Sequence, residues 1–92
     1  MKHRRVAKSQ STFHTWAPRS FRWRGWHTTA RLEPEFWDAL ADVARREGVP
    51  ASELASRIDA DRHPDQPLSS AIRIFVMSYY RAAVYRAAVE ER

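Results

Sequence analysis

The feature that most constrains the fold is a short alternating stretch, residues 26–32, that leads directly into helical patterns. In a strand, successive side chains point to opposite sides, so this stretch has one small or apolar face and one polar face. The two faces comprise Thr28, Ala30 and Leu32 on one side and His27, Thr29 and Arg31 on the other. A lone strand leaves backbone groups unpaired along both edges. The chain therefore needs a partner strand.

A first helix is predicted over residues 34–47. Pro34 suits the first helical position, because its φ is already helical and it has no N–H to leave unbonded. Gly48 suits the left-handed residue that follows many helices. The apolar stripe of this helix comprises Phe36, Trp37, Leu40, Val43 and Ala44.

Two more helices are predicted beyond the glycine, over residues 50–60 and 68–89. Pro50 restarts the helical pattern, and a polar stretch with two prolines then separates the two helices. Ser69 or Ser70 is a candidate N-cap of the last helix, since a serine side chain can accept a bond from a free N–H of the first turn.

Charge is segregated along the chain. Residues 1–32 contain no acidic residue and carry +8, whereas residues 33–92 sum to −3. Of the 16 cations, 14 are arginines, and arginine-rich basic proteins commonly contact phosphate. Residues 1–18 have neither a helical nor a strand period. We therefore interpret them as a basic, flexible arm ahead of a domain at residues 19–89.

Length and composition exclude several classes. A chain of 92 residues without cysteine exposes much of its surface and has no disulfide, so we expect it to oligomerise. No apolar run approaches the roughly 18–20 residues that cross a bilayer, and no apolar segment of signal-peptide type follows the basic start. We expect a cytoplasmic protein with no membrane partner. An organelle transit peptide is the alternative interpretation of the N-terminal segment.

Enzyme activity finds little support in the sequence. The four histidines are scattered, cysteine is absent, and two glycines cannot form a glycine-rich phosphate loop. We therefore expect no catalytic residues, no cofactor and no metal site.

The order of these elements resembles the ribbon-helix-helix family of Arc/MetJ-type DNA-binding proteins, and in particular a subgroup of short bacterial members. The resemblance is carried by residues 27–32, 33–40 and 48–54, and more widely by Arg19-Ser20, Gly25 and the run 68–76. It implies a mainly α fold in which one short strand pairs across a homodimer and two helices follow it. The third, C-terminal helix is an addition to that minimal fold.

The resemblance also implies that the polar face of the ribbon enters the major groove of double-stranded DNA. On that face, Arg31 can bond to guanine O6 and N7, and Thr29 can bond to a base edge or touch a thymine methyl. His27 donates or accepts a hydrogen bond according to its tautomer. The alternative is that these three side chains form an ordinary solvated strand face.

Further residues are candidates for supporting roles. Arg22 and Arg24, and the free N–H groups of Ala51 and Ser52 at the start of the second helix, are candidate phosphate contacts. Phe21 and Trp23 are interpreted as core residues. The expected dimer core comprises Ala30, Leu32, Phe36, Trp37, Leu40, Leu54 and Ile58.

The apolar positions of the last helix continue beyond what a small core needs, so Tyr80, Val84 and Ala87 form a candidate partner surface. Together these features predict a homodimeric, sequence-specific double-stranded DNA-binding protein, acting as a transcriptional repressor or other regulator. One alternative is an antitoxin or dimeric adaptor that binds a protein partner through the third helix and the basic arm. A second is binding of single-stranded nucleic acid or RNA by the arginines and aromatic residues near the N-terminus.

Overall fold

The computed structural model describes residues 17–90, which form two strands followed by three helices. The elements are β1 (Ala17–Trp23), β2 (Trp26–Leu32), α1 (Pro34–Glu47), α2 (Ala51–Asp61) and α3 (Leu68–Glu90). Residues 1–16 of the predicted arm lie outside the described residues. Ala17 and Pro18, which the sequence analysis also assigned to the arm, instead begin β1.

The strands β1 and β2 form an antiparallel hairpin. Their register pairs Ala17 with Leu32 at one end and Trp23 with Trp26 at the other, and a two-residue turn joins them. The predicted fold class, a ribbon-helix-helix arrangement with an extra C-terminal helix, is thereby confirmed. One detail differs: β2 has a partner strand in its own chain, whereas the resemblance implied a single strand that pairs across a homodimer.

The ends of α1 follow from local backbone chemistry. Pro34 occupies its first turn, and Gly48 ends it at φ 72°, in the left-handed region that suits glycine. The N–H of Gly48 donates to the Arg45 carbonyl at 3.2 Å, and that of Val49 donates to the Ala44 carbonyl at 3.0 Å. These bonds satisfy carbonyl groups that the helix end would otherwise leave free.

The later helices start differently from expectation. The structure places Pro50 before α2 as its N-cap, with extended backbone angles. At the start of α3, the N–H of Ala71 donates to the Pro67 carbonyl at 3.1 Å. Ser69 and Ser70 therefore lie inside the first turn, and their prediction as N-caps is wrong.

A single core lies between the hairpin and the three helices. Its buried side chains are Leu32, Trp37, Leu40, Val43, Ala44, Leu54, Ala55, Ile58, Ala71, Ile72 and Val76. Of the seven residues expected in a dimer core, five are already buried within one chain. The other two, Ala30 and Phe36, are half-buried and pack against the same cluster. The core covers the face of the hairpin that carries Thr28 and Leu32, which we call the inner face, and leaves the opposite face in solvent.

Candidate nucleic-acid interface

The alternation of β2 places the three candidate base-contact residues on one exposed face. His27, Thr29 and Arg31 are all exposed, whereas Thr28 and Leu32 between and after them are 2% and 0% exposed. The buried side chains fix which way the strand faces, because a shift of one residue would exchange the two sides.

β1 adds two polar side chains to the same face. In the hairpin register Arg22 lies opposite His27 and Ser20 lies opposite Thr29, and directly opposed residues point to the same side of a sheet. The Ser20 Oγ and Thr29 Oγ1 atoms lie 3.0 Å apart, within hydrogen-bond distance. We call these five residues, Ser20, Arg22, His27, Thr29 and Arg31, the outer face. Sequence reasoning missed Ser20, although its spacing of two from Arg22 places both on one side of a strand.

Arg24 occupies the hairpin turn instead of a strand face. Its φ is +50°, and Gly25 beside it has φ +83°. The left-handed region costs a residue other than glycine roughly 1 kcal/mol. The guanidinium carbon of Arg24 lies 5.3 Å from the centroid of the Trp23 ring, a cation–π contact at the tip of the hairpin.

The inner face of β1 is aromatic and also contains a cation. Phe21 packs against Trp37 of α1 with their ring centroids 5.7 Å apart. The guanidinium carbon of Arg19 lies 5.8 Å from the centroid of the same Trp37 ring. Arg19 therefore contributes its charge on the side of the sheet away from the outer face.

One side-chain contact anchors β2 near the tip. The Trp26 indole Nε1 donates to Asp59 Oδ2 at 3.0 Å, and Arg62 Nε donates to Asp59 Oδ1 at 2.7 Å. Burial raises the pKa of Asp59, but the two hydrogen bonds and the Arg62 charge together outweigh it and lower that pKa. A charged Asp59 thus ties the hairpin to the last turn of α2.

A second contact anchors the residue that follows β2. Arg73 of α3 donates to both carboxylate oxygens of Glu33, from Nε at 3.0 Å and from Nη2 at 3.2 Å. The pKa of Glu33 is lowered, first by a hydrogen bond from its own backbone N–H and then by Arg73, against an opposing effect of burial. Because β2 is anchored at both ends, the outer face has a fixed orientation on the helices.

The candidate phosphate contacts do not form one cluster. Arg22 lies on the outer face and Arg24 at the hairpin tip, next to the end of α2 that carries Asp59. Ala51 and Ser52 begin α2, roughly 11–12 Å along its axis from Asp59 at 1.5 Å per residue. No side chain caps this helix start.

The start of α3 lies beside the outer face. Thr29, Arg31 and Ser69 share the lining of a shallow depression of about 350 Å³ with Ala30 and Leu68. The first-turn N–H groups of a helix favour anions, so this helix start places backbone donors near the outer face. No pattern in the sequence indicates this proximity, because it depends on how α3 packs.

Residues 17–90 offer no support for two other kinds of site. None of the helices there is both long and apolar enough to cross a bilayer. In the same part of the chain, histidine and acidic side chains nowhere gather in threes in an arrangement that could bind a metal ion.

Comparison with known proteins gives one match. The family model described as the ribbon-helix-helix domain matches residues 17–80, which include both strands, α1, α2 and the first half of α3. No curated protein and no solved structure matches the chain. Members of the matched family are typically nucleic-acid-binding regulators of transcription and not enzymes. The match covers more than half of the chain and agrees with the observed order of elements, so the chain belongs to the ribbon-helix-helix family.

Proposed function

We propose that this protein binds double-stranded DNA as a homodimer, reads base sequence with the outer face and acts as a transcriptional repressor. The observation that carries the proposal is the outer face itself, an exposed row of polar and cationic side chains on an antiparallel ribbon. The opposite face of the same sheet packs against the core, which fixes the orientation in which the outer face presents its side chains.

The homodimer is supported by the edges of the hairpin. β1 covers one edge of β2, and within residues 17–90 the other edge of β2 has no partner strand. An unpaired edge is a template for a further strand, and a second β2 pairs with it through a two-fold axis. The resulting order is β1–β2–β2–β1, with the two β2 strands at the centre.

The dimensions of the sheet and of the groove support different roles for the two strands. Four strands spaced about 4.8 Å apart span roughly 14 Å between the outer strand axes, more than the roughly 12 Å width of the major groove. The central β2 pair fits the groove, and the two β1 strands lie over its rims. His27, Thr29 and Arg31 thus face base edges, while Arg22 on β1 faces the phosphate backbone.

Arginine suits both positions. Arg31 can form two parallel hydrogen bonds to guanine, an interaction that discriminates bases by about 1–3 kcal/mol. Arg22 contacts phosphate in a manner that depends on charge and not on sequence. Arg24 at the tip adds a further cation next to the rim.

The experiment is a fluorescence-anisotropy titration against duplexes selected from a random library, against random duplex and against single-stranded DNA, over a salt series. Arg31→Ala should remove most of the preference for the selected duplex. Arg22→Ala should weaken binding to all duplexes alike and reduce the log–log salt slope by about 0.9 for each phosphate that the protein no longer neutralises. Arg45→Ala is the matched control, because this exposed arginine lies on α1 and outside the hairpin.

Two results would overturn the proposal. Equal losses on selected and random duplex from Arg31→Ala would remove its base-reading role. A preference for single-stranded DNA over every duplex would favour stacking on the tryptophans at the hairpin tip.

A further inference from the structure

The helix α3 continues well past the core. It has 23 residues and is about 34 Å long at 1.5 Å per residue. Ile72 and Val76 near its start are buried at 0% and 5% exposure, whereas nearly every residue from Arg81 to Glu90 is exposed. The family match ends at residue 80, so this projecting half is not part of the shared domain.

A second apolar stripe lies on the side of α3 opposite the core. At 100° per residue, positions 72 and 76 face the body of the protein and positions 74, 77, 81, 84 and 88 face the other way. We call the latter residues the seam: Ile74, Met77, Arg81, Val84 and Ala88. Their spacing alternates between three and four, which is the heptad pattern of positions that meet a second helix.

The seam is exposed to an unusual extent. Ile74 is 55% exposed, Met77 54% and Val84 68%, and Tyr85 beside the seam is 73% exposed. These four side chains leave on the order of 500 Å² of surface in water, toward the upper end of what a monomer usually shows. That area approaches the roughly 800 Å² per partner of a standard protein interface.

We propose that the seam pairs with the seam of a second copy in an antiparallel helix pair. A heptad stripe of this length matches another stripe of the same spacing, and the same chain supplies one. Parallel pairing would set the two Arg81 side chains against each other in a like-charge layer. Antiparallel pairing instead places Ile74 against Val84 and Met77 against Arg81, and the arginine stem can pack on the methionine while its charged end reaches solvent.

This contact is separate from the β2 edge of the proposed DNA-binding dimer. Each chain then has two self-association surfaces on different elements, so dimers that bind DNA can associate further through α3. A shallow depression of about 490 Å³ along the projecting helix, lined by Tyr80, Arg81, Val84, Tyr85 and Ala88, offers a position for the partner side chains.

The test is the mass of the full-length protein in solution by sedimentation equilibrium, over a range of micromolar concentrations. Val84→Glu should lower the wild-type mass at least twofold, because it places a charge at the seam position that faces Ile74 of the second copy. Ala82→Glu introduces the same side chain at an exposed position about 100° away from the seam and should leave the mass unchanged. Unchanged mass in Val84→Glu, or an equal fall in both variants, would overturn the proposal.

Disulfide crosslinking tests the direction of pairing. Because the chain has no cysteine, every disulfide that forms involves an introduced residue. The double variant Ile74→Cys, Val84→Cys should form a covalent dimer on mild oxidation, and Val84→Cys alone should not. Efficient crosslinking by Val84→Cys alone would contradict antiparallel pairing. The mass of the Val84→Glu variant tests the β2 contact separately. A dimeric variant supports strand pairing through β2, whereas a monomeric variant counts against strand pairing and leaves the conclusion on the seam unaffected.

Discussion

Replacing Thr28 by valine should make the protein more stable. Thr28 is 2% exposed on the inner face of β2, and its Oγ1 has no hydrogen-bond partner among the described residues. A buried hydroxyl without a partner costs about 1–3 kcal/mol, and valine replaces it with a methyl of similar size. The free energy of unfolding should therefore rise by about 1–3 kcal/mol. For a domain of this size each kcal/mol shifts Tm by about 4–8 °C.

Thr29→Val is the matched control, since the same change is made one residue along on the opposite face. Thr29 is exposed, and its hydroxyl lies 3.0 Å from that of Ser20. Its free energy of unfolding should change by less than about 0.5 kcal/mol, as is usual for surface substitutions. DNA binding should show the reverse pattern: Thr29→Val weakens the preference for the selected duplex, and Thr28→Val does not.

Urea unfolding followed by circular dichroism measures both variants. Thr28→Val no more stable than the wild type would refute the argument, because it would mean that the buried hydroxyl carries no net cost in the folded protein. A loss of stability comparable to a lost hydrogen bond, about 1 kcal/mol, would show that this hydroxyl has a partner outside residues 17–90 of its own chain.

Three further predictions concern the anchors and turns. The folded pKa of Asp59 lies below its ordinary value of 3.8, so its ion pair with Arg62 stabilises the protein above that pH, and this stability is lost as pH falls through the folded pKa. Between pH 6 and pH 3 the free energy of unfolding should therefore fall less steeply in Asp59→Asn than in the wild type. Parallel slopes for the two proteins would contradict this. Gly48→Ala should destabilise by about 1 kcal/mol in thermal unfolding, since φ is +72° while an added Cβ would meet no atom within 4 Å; an unchanged Tm would show that α1 ends another way in solution. Arg24→Gly should stabilise the hairpin by up to about 1 kcal/mol, because glycine adopts the positive φ without strain, and it should weaken DNA binding at low salt, because a cation is lost. A variant in which stability and DNA affinity both rise, or both fall, would contradict this prediction.

The parts of the fold that sequence could predict are those with a simple period. The alternation from residue 26 to residue 32 separates the buried Thr28 and Leu32 from the exposed residues, and the proline and glycine at the two ends of α1 have the predicted backbone roles. These features depend on neighbours along the chain, which the sequence displays directly.

β1 could not be predicted because its pattern is mixed. Its second residue is a proline, which is tolerated only at an edge, and its inner face includes Arg19, whose charge looks like a solvent-facing position. The ring of Trp37, from a distant part of the sequence, offers that arginine a cation–π contact on the inner side. The proximity of the start of α3 to Arg31 depends on packing of the same kind.

The proline in β1 also limits how far the sheet can grow. Pro18 has no N–H to offer a further strand, which weakens the outer edge of β1, and β1 already covers one edge of β2, so the free edge of β2 is the better edge for strand pairing. A sheet built from units with one connecting edge closes after two units. The hairpin is in this sense monovalent, and strand pairing should give a discrete dimer and no extended fibre.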